Sequence, residues 1–86
     1  MARYGPRVQI TPKQRALLET IFRLEASLGY SPTIRELMTD RGLEWPSGVH
    51  QMLHLLADRG LVVWEARKAR TLVVTDAGRM ILEEDE

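Results

Sequence analysis

A mainly α-helical fold with one small β-hairpin is what this sequence predicts: three helices, two short strands, then a short fourth helix. Three observations predict it. Apolar residues recur at helical spacing in three successive segments, and a glycine stands just beyond the end of each. Two β-rich runs, "LVVW" (61–64) and "TLVV" (71–74), then follow six residues apart. At 86 residues the chain has room for one compact core.

The elements follow in order. Residues 1–10 hold Gly5 and Pro6 without a clear period and are read as an N-terminal arm. "TPKQ" opens the first helix: Thr11 caps, Pro12 suits the first helical position, and Gln14 completes a capping box. Leu17, Ile21, Leu24 and Leu28 make one apolar stripe, and Gly29 ends the helix with a left-handed cap, so a helix is expected over 12–28. "SPTIRELM" opens a short second helix, boxed by Thr33 and Glu36, with Ile34, Leu37 and Met38 inward and Gly42 closing it. After the turn "LEWP", Pro46 starts a third helix whose inward stripe is Val49, Leu53 and Leu56, with Met52 beside it. Gly60 ends it.

The segment "EARKAR" joins the two strands. It has no tight-turn pair, so a longer, mobile loop with a basic tip is expected. "TDAGRMILEE" reads as a last helix capped by Thr75, with Ala77, Met80 and Ile81 on one side. Its acidic end opposes the helix dipole and should fray. A short second helix, a tight turn and an amphipathic third helix make a helix-turn-helix; the hairpin makes it winged. The expected layout is an arm (1–10), a winged helix-turn-helix domain (11–75), and a short C-terminal helix with an acidic tail (76–86).

Composition narrows the function. The chain has no cysteine, which removes disulfides and thiolate metal sites and fits a reducing compartment. No run of about 18 apolar residues is present, and the N-terminus lacks a signal-peptide centre. A cytoplasmic protein without membrane contact is expected. Net charge is zero, but unevenly so: residues 1–75 hold 11 basic and 7 acidic side chains, residues 76–86 one and five. The acidic end thus offsets a basic module, although an excess of four over that length is unremarkable.

The sequence resembles the N-terminal DNA-binding domain of the LexA repressor family. The resemblance runs from "ITPKQRALLETI" through "LGYSPTIREL" and "VHQMLHLLADRGLVV" to "RKARTLVV", roughly residues 10–74. "GYSPTIREL" is close to the family's G-[YM]-P-P-[ST]-x-x-E-[IL]. Ser47, Val49, His50, Leu53, Leu56, Arg59 and Gly60 fill its S-x-V-H-x-x-L-x-x-L-x-x-[KR]-G pattern. The family's self-cleaving serine–lysine protease module has no counterpart in these residues. Trp45 stands where the family has a small polar residue, and "EARKAR" lacks the Gly or Pro common in the family's wing. "VTDAGRMILEE" instead resembles the "LT-x-x-G" helix of other winged-helix regulators. The resemblance implies a small transcriptional regulator, of bacterial or phage origin, that acts as a repressor on double-stranded DNA.

With Val49, Leu53 and Leu56 inward, Ser47, Gly48, His50, Gln51 and His54 fall on the other side of the third helix. Short side chains at the front of a recognition helix let it approach base edges; Gln51 can pair with adenine, and Ser47 with base or phosphate. The plainer alternative is a solvated polar face. Arg67, Lys68 and Arg70 crowd the wing tip and suit the DNA backbone; charge guarding an exposed sheet edge would explain them as well. Lys13 and Arg35, at the starts of the first two helices, are further backbone candidates, as are Arg3 and Arg7 on the arm. His50 and His54 also have a metal-pair spacing, but no third ligand is evident. Trp45 fits three roles: core plug, stack on a sugar, or anchor for a protein partner. Trp64 ends a strand and is expected to be core or hairpin support. No catalytic constellation and no cofactor motif is found.

A single small module of zero net charge should bind DNA modestly, so a homodimer or a protein partner is expected. The rival reading is a winged helix that binds RNA polymerase or another regulator.

Overall fold

The computed structural model describes residues 10–42, 46–65 and 68–84; within that span the side chains of Arg41, Pro46, Ser47 and Glu84 are excepted. Its elements are α1 (Pro12–Leu28), α2 (Ile34–Arg41), α3 (Pro46–Asp58), β1 (Val62–Val63), β2 (Val73–Val74) and α4 (Asp76–Glu84). The strands form an antiparallel hairpin with Val62 opposite Val74 and Val63 opposite Val73. This is the expected winged helix-turn-helix.

The first two helices start as the sequence predicts. The Thr11 hydroxyl accepts from the Gln14 N–H at 3.1 Å, while the Thr11 N–H donates to Gln14 Oε1 at 3.0 Å. Thr33 and Glu36 repeat the box at 3.0 and 2.8 Å. Each box satisfies two backbone donors that the helix geometry would leave open. Gly29, Gly42 and Gly60 all take left-handed φ after their helices. At Gly60 the Leu61 N–H reaches back to the Leu56 carbonyl at 3.0 Å, so α3 ends in a Schellman turn that sends the chain into the hairpin.

The core is built where the stripes converge. Leu17, Leu18, Ile21, Leu37, Val49, Leu53, Leu56, Leu61 and Leu72 are essentially inaccessible, with Val62, Val74 and Leu82 around them. Each such leucine contributes roughly 1.5–3 kcal/mol relative to exposure. α1 lies at the centre, against α2, α3, α4 and β2.

Two expectations change. The strands are shorter than the runs that predicted them: Leu61 belongs to the Schellman turn, and Trp64 leaves the ladder to pack on α3. In α4, Met80 is exposed and Leu82 is buried, so the inner face is Gly78 and Leu82, flanked by Ala77 and Ile81. The cause is a close approach. A Cβ on Gly78 would sit 2.4 Å from the Leu61 carbonyl oxygen and 2.8 Å from Val74 Cγ1. The glycine turns that side of the helix inward. The acidic end of α4 is also not left open. Arg15 Nη1 and Nη2 each donate at 3.2 Å, to the carbonyls of Ile81 and Leu82, so α1 supplies a cation where the dipole wants one. Among the described residues no helix is long and apolar enough to cross a membrane.

Candidate nucleic-acid interface

α3 carries the first part of the site. Its buried stripe of Val49, Leu53 and Leu56 faces α1 and α2. On the opposite side Gly48, Gln51 and His54 are exposed, and His50 lies half-buried at the flank. The backbone of Ser47 belongs to the first turn of α3; its side chain lies outside the described residues. Gly48 is informative because nothing among the described residues needs it. Among the described residues, no atom beyond its chain neighbours and its own helix backbone lies within 4 Å of where its Cβ would be, and its φ is not left-handed. A glycine inside a helix destabilises by about 0.5–1 kcal/mol relative to alanine, so the fold alone would not favour it there.

His50 and His54 are brought together, but on Trp64. The Trp64 ring meets His50 at 5.5 Å and His54 at 4.9 Å between centroids, both edge-on. The wing is therefore pinned to the outer flank of α3, and of the two roles expected for Trp64, core or hairpin support, the half-buried ring takes the second. Among the described residues no third His, Cys, Asp or Glu joins the two histidines in a group that could hold a metal ion. Beside this contact a cleft of about 270 Å³ opens between the wing and the helix-turn-helix, lined by Pro32, Thr33, His50, Trp64, Lys68 and Arg70 among others.

The basic residues divide into two kinds. Lys13 and Arg35 are exposed and stand at the second position of α1 and α2. A cation there opposes the helix dipole, so neither helps its own helix. Lys68 is on the wing, its side chain 68% exposed, with a loose 3.7 Å contact to Glu65. Arg70 differs. Its guanidinium turns back onto the entry to α2, and Nη1 and Nη2 reach the two Glu36 oxygens at 3.1 and 3.2 Å. This pairing, with the Thr33 N–H in support, holds the Glu36 carboxyl below the ordinary carboxylate range. Sequence reading missed the pair because its members lie 34 positions apart.

The described part of the wing loop is internally bonded. The Thr71 hydroxyl accepts from the Glu65 N–H at 3.0 Å and donates toward the carbonyls of Glu65 and Lys68, each at 3.1 Å. Arg67, Trp45, Arg3 and Arg7 lie outside the described residues.

The comparisons with known proteins point one way. The family described as LexA DNA binding domain matches residues 8–71. A LexA repressor of Pelotomaculum thermopropionicum is 38% identical over 68 residues, covering 79% of this chain and 34% of the relative. One from Ligilactobacillus salivarius is 36% identical over 72 residues, covering 84% and 35%. One from Bifidobacterium adolescentis is 33% identical over 67 residues, covering 78% and 26%. The chain thus spans about a quarter to a third of the length of these relatives.

Proposed function

Because the chain belongs to the LexA DNA-binding domain family, we propose that it binds double-stranded DNA sequence-specifically, as a small transcriptional regulator of the bacterial cytoplasm. The observation that carries this reading is the outer face of α3. It is exposed, short in side chains at its front, and holds a glycine that none of the described residues requires. A helix lying in the major groove needs that clearance.

In this reading α3 enters the groove by its first two turns. Gln51 offers its amide to an adenine edge, where both a donor and an acceptor are required. Ser47 and His54 reach base or phosphate, Gly48 admits the backbone, and His50 sits at the groove wall beside Trp64. Lys13 and Arg35 meet phosphates at the helix starts, together with free backbone N–H groups. Lys68 and Arg67 follow the flanking backbone from the wing. Repression is steric: a promoter occupied in this way is closed to other proteins. A homodimer, or a protein partner, supplies the affinity that a neutral module lacks.

A second reading, a surface for RNA polymerase or another regulator, has one observation in its favour. Val63 and Val73 pair across the hairpin with their side chains outward, 62% and 45% exposed.

Selection of bound duplexes from a random pool tests the first reading. The expected result is an enriched site, with Gln51→Ala relaxing preference at one base position by about 1–3 kcal/mol. No enrichment, together with no binding to any duplex at low salt, overturns it.

A further inference from the structure

Besides the core packing of Val62, Leu72 and Val74, two side chains among the described residues tie the wing to the helix-turn-helix. One is Trp64, just after β1, packed on the α3 histidines. The other is Arg70, three residues before β2, where the backbone φ is +61°. Among the described residues Arg70 is the one non-glycine with positive φ. A side chain with a Cβ disfavours that region and stays there only when its surroundings over-determine it.

The surroundings do so. Nη1 donates to the Ser31 carbonyl at 3.0 Å and to Glu36 Oε1 at 3.1 Å, and Nη2 donates to Glu36 Oε2 at 3.2 Å. The Tyr30 ring lies beneath, its centroid 4.6 Å from Cζ. All four contacts fall within residues 30–36, the turn into α2. A flat fork of donors meets a carboxylate, a carbonyl and an aromatic face together, which a lysine ammonium cannot match.

We propose that Arg70 is a positioning residue: it latches the wing to the first turn of α2 and so sets the angle between the wing and α3. This rests on the DNA-binding reading above. A duplex is touched by α3 and the wing together only if that angle is held. Arg70 itself is poorly placed to neutralise a phosphate. Its charge is already matched by Glu36, and a phosphate brought to it would meet that carboxylate. Among the described residues Lys68, exposed and loosely held, is the wing cation better placed for the backbone.

Three substitutions separate a latch from a direct phosphate contact. Arg70→Ala removes the side chain. Arg70→Lys keeps the charge without the fork. Glu36→Gln removes the charge and keeps the capping box, as Gln14 does in α1. Affinity is read on the duplex recovered from the random pool, across a salt series, and amide exchange of Glu65 and Lys68 reads the wing without DNA.

The latch predicts that all three weaken binding about tenfold, the cost of a wing competent in only about a tenth of molecules. It also predicts an unchanged salt slope, faster amide exchange, and no further loss when Arg70→Ala and Glu36→Gln are combined. A direct contact predicts the reverse. Arg70→Ala would then lower the salt slope by about one, Arg70→Lys would bind as the parent does, and Glu36→Gln would raise affinity. That second pattern overturns the proposal. Should the parent bind no duplex at all, the DNA reading fails. The amide exchange then decides the latch alone: faster in Arg70→Ala and Arg70→Lys supports it, unchanged overturns it.

Discussion

The starts of α3 and α4 both carry glycine at the third helical position, and for opposite reasons. At Gly78 the place of a Cβ is taken by the Leu61 carbonyl and Val74. At Gly48 that place is open. The other two helices have a long side chain at the same position, Gln14 or Glu36, folded back to close a capping box. One position in four helices thus serves two different ends. Where the neighbouring chain stays clear, a side chain returns to the cap. Where it comes close, only hydrogen fits. Among the described residues nothing makes Gly48 obey either rule, and so it points outward.

The largest effect expected from breaking this comparison is at Gly78. Gly78→Ala forces a methyl into a backbone carbonyl, which cannot swing aside as a flexible side chain does. Destabilisation of about 1–3 kcal/mol is expected in denaturant unfolding. An unchanged midpoint would show that α4 tilts away freely, and that the close approach does not hold the helix.

Next come the caps. Thr33→Ala and Thr75→Ala should each destabilise by about 1 kcal/mol. Thr75→Ala should be the larger, because its hydroxyl accepts from the Gly78 N–H at 3.1 Å and also donates to the Gly60 carbonyl at 2.7 Å. One hydroxyl thereby joins the end of α3 to the start of α4. The reverse order of the two midpoints would refute that coupling.

These cases mark what local sequence can and cannot show. Caps and stripes were legible because donor, acceptor and apolar period all lie within four residues of one another. Thr11, Thr33, Thr75 and the left-handed glycines were therefore read correctly. The inner face of α4 was not, because period alone favoured Met80. The approach of Leu61 to Gly78 is a tertiary fact. The candidate site divides in the same way. The outward position of Gly48, Gln51 and His54 follows from the buried stripe opposite. The Trp64 contact with both histidines does not, nor does the Arg70–Glu36 pair, since each joins distant parts of the chain. A basic cluster such as "ARKAR" looks uniform in sequence. Packing is what separates Lys68, exposed and only loosely paired with Glu65, from Arg70, folded onto α2.

Gly48→Ala turns the comparison into a trade between stability and function. With open space at the Cβ position and ordinary φ, alanine should stabilise the fold by about 0.5–1 kcal/mol. If α3 lies against base edges, the same change should weaken binding to the selected duplex. Thermal unfolding and a gel shift on one preparation read both. A gain in stability with full affinity would remove the outward reason for this glycine.

The smallest effect concerns Glu36, where the third position bears a charge. Its carboxyl is held below the ordinary 4.5, first by the Arg70 hydrogen bond and then by the Thr33 N–H. A carboxylate with a depressed folded pKa contributes stability that is complete above its unfolded value and is lost as pH falls through the depressed one. Glu25 acts in the opposite sense. Burial raises it above 4.5, outweighing the Val74 N–H and the charge of Arg79. Its contribution is present below 4.5 and is lost as pH rises through the raised value. In the parent the two oppose each other across the acid range. Glu36→Gln removes one and keeps the capping box. The difference in Tm between parent and variant should therefore be full above pH 4.5 and shrink steadily below it. It should stay small throughout, since exposed ion pairs stabilise little. If the difference persists undiminished in acid, the loss belongs to the cap and not to the charge, and the third position of α2 differs from that of α1 in shape alone.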